Sequence, residues 1–325
     1  MLPAARRVRA YFAPVARASE APSIFDPAAL GLFSLDSPPA PWIDLGWIEN
    51  FKRASKTAIT PITGGSQGAP AALARKNLSA TVEFEFREWG KLQMALSSGA
   101  QHMNVLATAT GATPAASGGY EPNTAAIVLG GSTRDQILLS PLGLIGLNTG
   151  DVVAVDADYA GQTGYIGAGI AGACVKNAAD VRNDVNYIRR VTFNVARIIN
   201  ATPTSLLLGQ HLIAGDPPAG WGLQKVVAFV DREGGSFFQE WSALFVVPEE
   251  SGGRIVFHYP HLQPAAPAAE NNFPIAARAA KNEAATIHGF ALQASFTALP
   301  VTDPNDNEQV LCYRSYFPAP DAAVY

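Results

Sequence analysis

The chain has 325 residues, 48 % hydrophobic and 15 % charged, and a formal net charge of −4; this gives no overall attraction to a nucleic-acid backbone or an anionic membrane. The length suits one large or two modest domains, and 29 Gly with 24 Pro divide the chain into short pieces that favour strands and turns over long helices. Cys174 and Cys312 fit no metal-ligand spacing and read as reduced core thiols.

From the N-terminus, residues 1–41 read as a Pro-rich lead-in that packs as an extended arm. Arg6, Arg7, Arg9 and Arg17 all precede the first acid, Glu20. Pro14 and Arg17 interrupt the place where the apolar core of a signal segment would lie. A basic arm of the mature protein is therefore expected. WIDLGWIENFKRASKTAIT, residues 42–60, reads as strand, Gly-containing turn and strand.

The clearest local signal follows in LSATVEFEFREWGKLQMAL, residues 78–96. Leu78, Ala80, Val82, Phe84 and Phe86 alternate with Ser79, Thr81, Glu83, Glu85 and Arg87, which predicts a half-buried strand with one wet, acidic face. Trp89, Leu92, Met94, Ala95 and Leu96 then recur at about one helical turn, predicting a helix over residues 88–104. ATATGATPAASGGYEPNT, residues 107–124, is a loop by composition.

Short strands are expected at AAIVLG, QILLS, DVVAVD and TGYIGAG, making 111–185 a loop and small β-rich insertion. Longer strands follow in YIRRVTFNVARII, QKVVAFVD, FFQEWSALFVV, GRIVFHY, ATIHGFALQASFTAL and EQVLCYRSYF. The expected architecture is mainly β: an antiparallel sandwich or partly closed barrel from 42–110 and 186–325, with one principal flanking α-helix. The uncharged runs Leu92–Tyr120 and Tyr159–Val175 are too rich in Gly, Ser, Thr, Gln and Asn to make good membrane spans, so synthesis as a soluble protein in the cytoplasm is expected.

Four motifs invite chemistry and fall short of it. GAGIAG, Gly167–Gly172, has the glycine spacing of a dinucleotide loop but lacks the packed helix that should follow. GGSQG places Ser66 as in a nucleophile elbow, with His211 or His288 as conceivable bases, yet neither the buried strand before it nor the helix after it is present. His258 and His261 lie three apart and point to opposite faces of a strand. DPNDNE sets Asp303, Asn305 and Asn307 like the start of a calcium loop, but Glu308 replaces the required glycine and Arg314 the closing acid, leaving a hairpin turn. No catalytic residue, cofactor or metal site is assigned.

WIDLGWIENFK, VEFEFREWGKLQMAL, SALFVVPEESGGRIVFHYPHLQP and LQASFTALPVTDPNDNEQVLCYRSYFP together resemble, in pattern and order, the tail tube (major tail) proteins of tailed bacteriophages and related prophage particles. The resemblance spans most of 42–110 and 186–318, and the insertion at 111–185 departs from it. It implies a β-sandwich with a flanking helix, assembled as homohexameric rings stacked around a tape measure protein into a tube that conducts DNA on ejection. The implied partners are further copies of the chain, the tape measure, the tail terminator, baseplate or tip proteins and, in contractile tails, a sheath; the implied location is the virion tail, without a membrane. On this resemblance Glu83 and Glu85 would face the lumen, where acidic side chains keep passing phosphate from sticking. Arg6, Arg7, Arg9 and Arg17 would stitch subunits together. Two other readings share the composition: a carbohydrate- or receptor-binding β-sandwich of a virion, and a serine hydrolase using Ser66.

Overall fold

The computed structural model describes residues 7–15, 21–28, 33–39, 41–64, 69–99, 101–107, 111, 123, 125–156, 193–232, 240–250, 252–265, 269–276 and 286–319. In chain order the strands are β1 (Val8–Pro14), β2 (Ile43–Gly64), β3 (Ala69–Phe86), β4 (Gln101–Leu106), β5 (Ala126–Ile127) and β6 (Gln136–Leu138). They continue with β7 (Val152–Asp156), β8 (Val195–Ala201), β9 (Ser205–Leu208), β10 (Gly222–Arg232), β11 (Trp241–Pro248) and β12 (Arg254–Pro264). The last are β13 (Ala269–Ala276), β14 (Thr286–Ala298), β15 (Val301–Thr302), β16 (Gln309–Val310) and β17 (Tyr313–Phe317). Among the described residues one α-helix, α1 (Lys91–Ser98), lies between β3 and β4. The protein is mainly β, as its punctuation by Gly and Pro requires.

The chain divides into two compact units. The first comprises Met1–Phe12, Leu45–Gly99 and Phe238–Tyr325. Its sheet runs β13-β14-β3-β2-β1-β11-β12-β17, and an additional pairing of β14 with β12 turns six of these strands into a closed ring. The closure is physical: β14 uses Thr286–Gln293 for β13 and Phe296–Ala298 for β12, while β12 gives Arg254–His258 to β17 and Leu262–Pro264 to β14. One edge of each long strand thus serves two neighbours, and the ring loses its free edges there.

The alternation of β3 holds. Ala80, Val82, Phe84 and Phe86 are buried, and Ser79, Thr81 and Glu83 are exposed. Leu78 departs from it at 49 % exposure, because β3 gains its second partner, β14, only from Ala80 onward. Inside the ring the Phe12 ring lies 5.8 Å from that of Phe84, 6.0 Å from Trp241, 5.8 Å from Phe245 and 5.9 Å from Phe296. Such contacts add about 0.5–1.5 kcal/mol each beyond simple burial.

Phe12 corrects the expectation of an arm at 1–41. Val8–Pro14 is an inner strand between β2 and β11, with Ala10, Tyr11, Phe12 and Ala13 fully buried. A strand covered on both faces reads as a continuous apolar run without alternation, and the flanking arginines and prolines disguise it. Two further corrections concern glycines. Gly46 makes no turn: β2 passes through it at φ +83 and through a bulge beside Asn50 at φ +52. The helix is shorter than 88–104, since Gly99 at φ +60 ends it by donating its N–H to Ala95 O, and the chain re-enters a strand at Gln101. Leu92, Ala95 and Leu96 form its buried side, whereas Trp89 precedes it and is 56 % exposed.

The second unit comprises Ala13–Asp44 and Ala100–Phe237, and is wider than the 111–185 insertion expected from composition. Its seven-stranded sheet runs β4-β10-β7-β8-β9-β6, with β5 also on β10. Val153 and Val155 of β7 pack into one cluster with Ile137, Ile198, Leu206 and Leu223. Ala154, between them, packs with Leu106 and Val226. Apolar side chains therefore cover both faces of this sheet, which is why 101–106 and 195–232 fold here and not with the barrel. Phe25, Phe33 and Trp42 add a chain of edge-on ring contacts at 5.6 and 6.3 Å.

Candidate functional site

Two features of the first unit lie on its surface: the wet face of β3 and a two-stranded extension of β2 and β3. On the wet face, Glu83 stands opposite Lys52 of β2 and Ser295 of β14, and Glu85 stands opposite Glu49 and Gln293. Glu83 is exposed. Glu85 is half-buried and accepts hydrogen bonds from Asn50 Nδ2 at 2.7 Å and Gln293 Nε2 at 3.4 Å. The bulge is what brings Asn50 there, since its positive φ, tolerated by asparagine, turns the amide toward the carboxylate. Glu49 pairs with Arg87 at 2.8 Å. The face is thus an ordered strip of amides, hydroxyls and matched charges, less anionic than its glutamates alone suggest.

The extension begins where the ring ends. Lys56 to Gly64 pairs with Ala69 to Ser79, beyond the point where β14 leaves β3. A ribbon of two strands has no core of its own. Ile59 and Ile62 are 57 % and 53 % exposed, and Pro61 sits opposite Leu73 within it, a residue that an interior strand excludes. Its two strands hold Lys56, Arg75 and Lys76 and no Asp or Glu, so the ribbon is cationic on an anionic chain. The strand expected to end at residue 60 runs on to Gly64, and the run of one charge sign was the signal that could have marked the extension.

The arginines of the expected arm separate. Arg7 is exposed, and Arg9 is half-buried on β1, its guanidinium 5.8 Å from the Tyr11 ring and 5.9 Å from that of Trp47. Arg9 therefore packs on its own unit. Arg6 and Arg17 lie outside the described residues, as do Ser66, the GAGIAG segment and Cys174.

A polar cluster missed from sequence sits within the barrel. Arg53 Nε donates to Tyr259 Oη at 2.9 Å, its guanidinium lies 4.7 Å over the Phe257 ring, and Cys312 adjoins the pair. Burial first, and the nearby thiol second, push the Tyr259 phenol up to about 12; burial also pushes the Cys312 thiol up, which suits an inert core cysteine.

The other nominated residues find structural partners. His258 is buried and stacks on Tyr313 at 5.7 Å, and His261 pairs with Glu240 at 3.0 Å. DPNDNE is a hairpin turn between β15 and β16: Asp303 Oδ1 accepts the Asn305 N–H at 2.9 Å, and Asn307 takes φ +62. His211, in the second unit, is hydrogen bonded on both ring nitrogens, Nδ1 to Asp135 Oδ1 and Nε2 to Ser37 Oγ.

Set against protein-family models and against curated proteins, the chain matches none.

Proposed function

We propose that this chain is the structural subunit of a phage or prophage-derived tail tube, assembling through its barrel unit into rings that stack around a channel. The observation that carries the reading is the ribbon Lys56–Gly64/Ala69–Ser79, which runs past the residues that β3 pairs with β14 and exposes isoleucines at two positions. Two strands in water are marginally stable alone, and exposed apolar side chains on an ordered extension belong against a partner surface. A second copy suits that role: the ribbon is cationic while the chain carries −4, so the field of one copy attracts the ribbon of another.

The resemblance in sequence supplies the particle, the hexameric ring and the partners: the tape measure inside, the terminator and the baseplate or tip proteins at the ends, and a sheath where the tail is contractile. In this reading the wet strip with Glu83 and Glu85 lines the channel. Its matched charges give passing DNA neither a cationic trap nor bare apolar surface. Closing six strands into a ring suits the same role, because it takes free edges away from those strands.

Sedimentation of the intact protein and of Ile59→Asp/Ile62→Asp tests this. The double variant is expected to keep the far-ultraviolet spectrum and melting temperature of the intact chain within a few degrees, since both side chains are exposed, and to lose large assemblies. Assembly of the variant equal to that of the intact protein contradicts the role given to the ribbon.

A further inference from the structure

We propose that Ser37, His211 and Asp135 form a nucleophilic site in the second unit that takes an acyl group from activated carboxylic esters. The inference is independent of the tube reading, and it replaces Ser66 as the hydroxyl that His211 serves. The imidazole is held in the order that nucleophilic catalysis needs: a carboxylate on Nδ1 and a hydroxyl on Nε2. Donating Nδ1–H to Asp135 fixes the tautomer with the lone pair on Nε2, which then accepts the Ser37 proton.

The surrounding main chain makes this constellation a fixed one. Leu208 N–H donates to Asp135 O at 2.8 Å and Leu212 N–H to Arg134 O at 2.9 Å, tying the chain on both sides of His211 to the two residues that present the carboxylate. Arg134 N–H in turn donates to Asp216 Oδ1 at 2.8 Å. Ser37 closes a bend in which its own N–H donates to Ser34 Oγ at 3.1 Å, and Pro38 and Pro39 restrict the backbone after it. The His211 and Asp135 side chains keep 34 % and 43 % exposure, and Ser37 is half-buried, so a small ester can reach the hydroxyl.

In the first step the Ser37 proton passes to Nε2 as Oγ bonds to the carbonyl carbon; the bond to the leaving oxygen then breaks, and that oxygen takes the proton from Nε2. Water, deprotonated by the same nitrogen, releases the acid and restores the serine, so one ester and one water give one acid and one alcohol. Ser37 N–H is engaged by Ser34 and Pro38 has no N–H, so the donors that usually stabilise an acyl oxyanion are not supplied by the nucleophile's own backbone. The substrate class is accordingly esters with a good leaving group, not amides.

Fluorophosphonate treatment of the full-length protein, with the adduct located by peptide mass spectrometry, tests the site. The expected result is an adduct on Ser37 formed with loss of fluoride, absent in Ser37→Ala, and slowed by about a hundredfold in His211→Gln. Asp135→Asn, which removes the carboxylate that holds His211 Nδ1–H, is expected to slow the adduct as well; Arg134, whose Nε lies 4.0 Å from Asp135 Oδ2, and Asp216 are the other charged groups at the site. Melting curves establish that each variant is folded, and if His211→Gln is not, Asp135→Asn decides. An intact protein that forms no Ser37 adduct overturns the proposal. So does a folded His211→Gln or Asp135→Asn that reacts at the intact rate.

Discussion

Phe84 and Glu83 are neighbours in sequence with opposite environments, the ring 2 % exposed and the carboxylate in water. Truncating Phe84 to Ala removes a ring that meets Phe12, Phe245 and Phe296, and is expected to cost about 3–5 kcal/mol. Glu83→Ala should change stability by no more than about 0.5 kcal/mol. Glu85→Ala falls between, near 1 kcal/mol, since it strands two amide donors at a half-buried site. Chemical denaturation of the three variants checks that order, and equal costs at 83 and 84 would contradict the strand phase.

Tyr259 supplies a test by pH. Its folded pKa, about 12, lies above the ordinary 10, so the neutral phenol stabilises the fold fully below pH 10 and that contribution is lost as pH rises toward 12. Tyr313, pushed up to about 12 as well by desolvation and then by its hydrogen bond to Asp303, acts in the same window. The informative quantity is therefore the difference between the intact protein and Tyr259→Phe. The slope of unfolding free energy between pH 10 and 12 should be shallower in the variant, and an unchanged slope would contradict the buried phenol.

Among the elements, those with one wet face were legible and those without one were not. β3 announced itself because Glu83 and Glu85 mark the solvent side of Phe84. β1 could not, since nothing on Ala10–Ala13 is left in water to set a period. The helix was legible in kind but not in extent: Gly99 stops it, yet SSGAQ in sequence does not show that the residue must be left-handed. In the fold a Cβ at Gly99 would lie 2.4 Å from Pro264 Cβ. Gly99→Ala is therefore expected to destabilise by about 2 kcal/mol through strain at positive φ and this contact, read as a lowered melting temperature. The site in the second unit was beyond sequence reasoning for a different reason. Ser37 and Asp135 stand 174 and 76 residues from His211, and only the folding of 13–44 with 100–237 puts them in one unit.

At the scale of the whole chain, the mainly β class followed from composition and turn spacing, while the division into units did not. The strands at 195–232 carry the same alternating patterns as those at 241–317, and nothing local says which sheet each will join; burial on both faces of the second sheet decides it. The first unit closes six strands into a ring and extends a cationic ribbon from it, and this pairing of a ring of strands with an extension that exposes Ile59 and Ile62 is what the tube proposal rests on. Electron microscopy of the purified full-length protein over a range of concentration and salt tests that proposal most directly. The account predicts rings of uniform diameter and, at higher concentration, stacked tubes with a central channel; a field of isolated monomers under every condition, including in the presence of its particle partners, would contradict it.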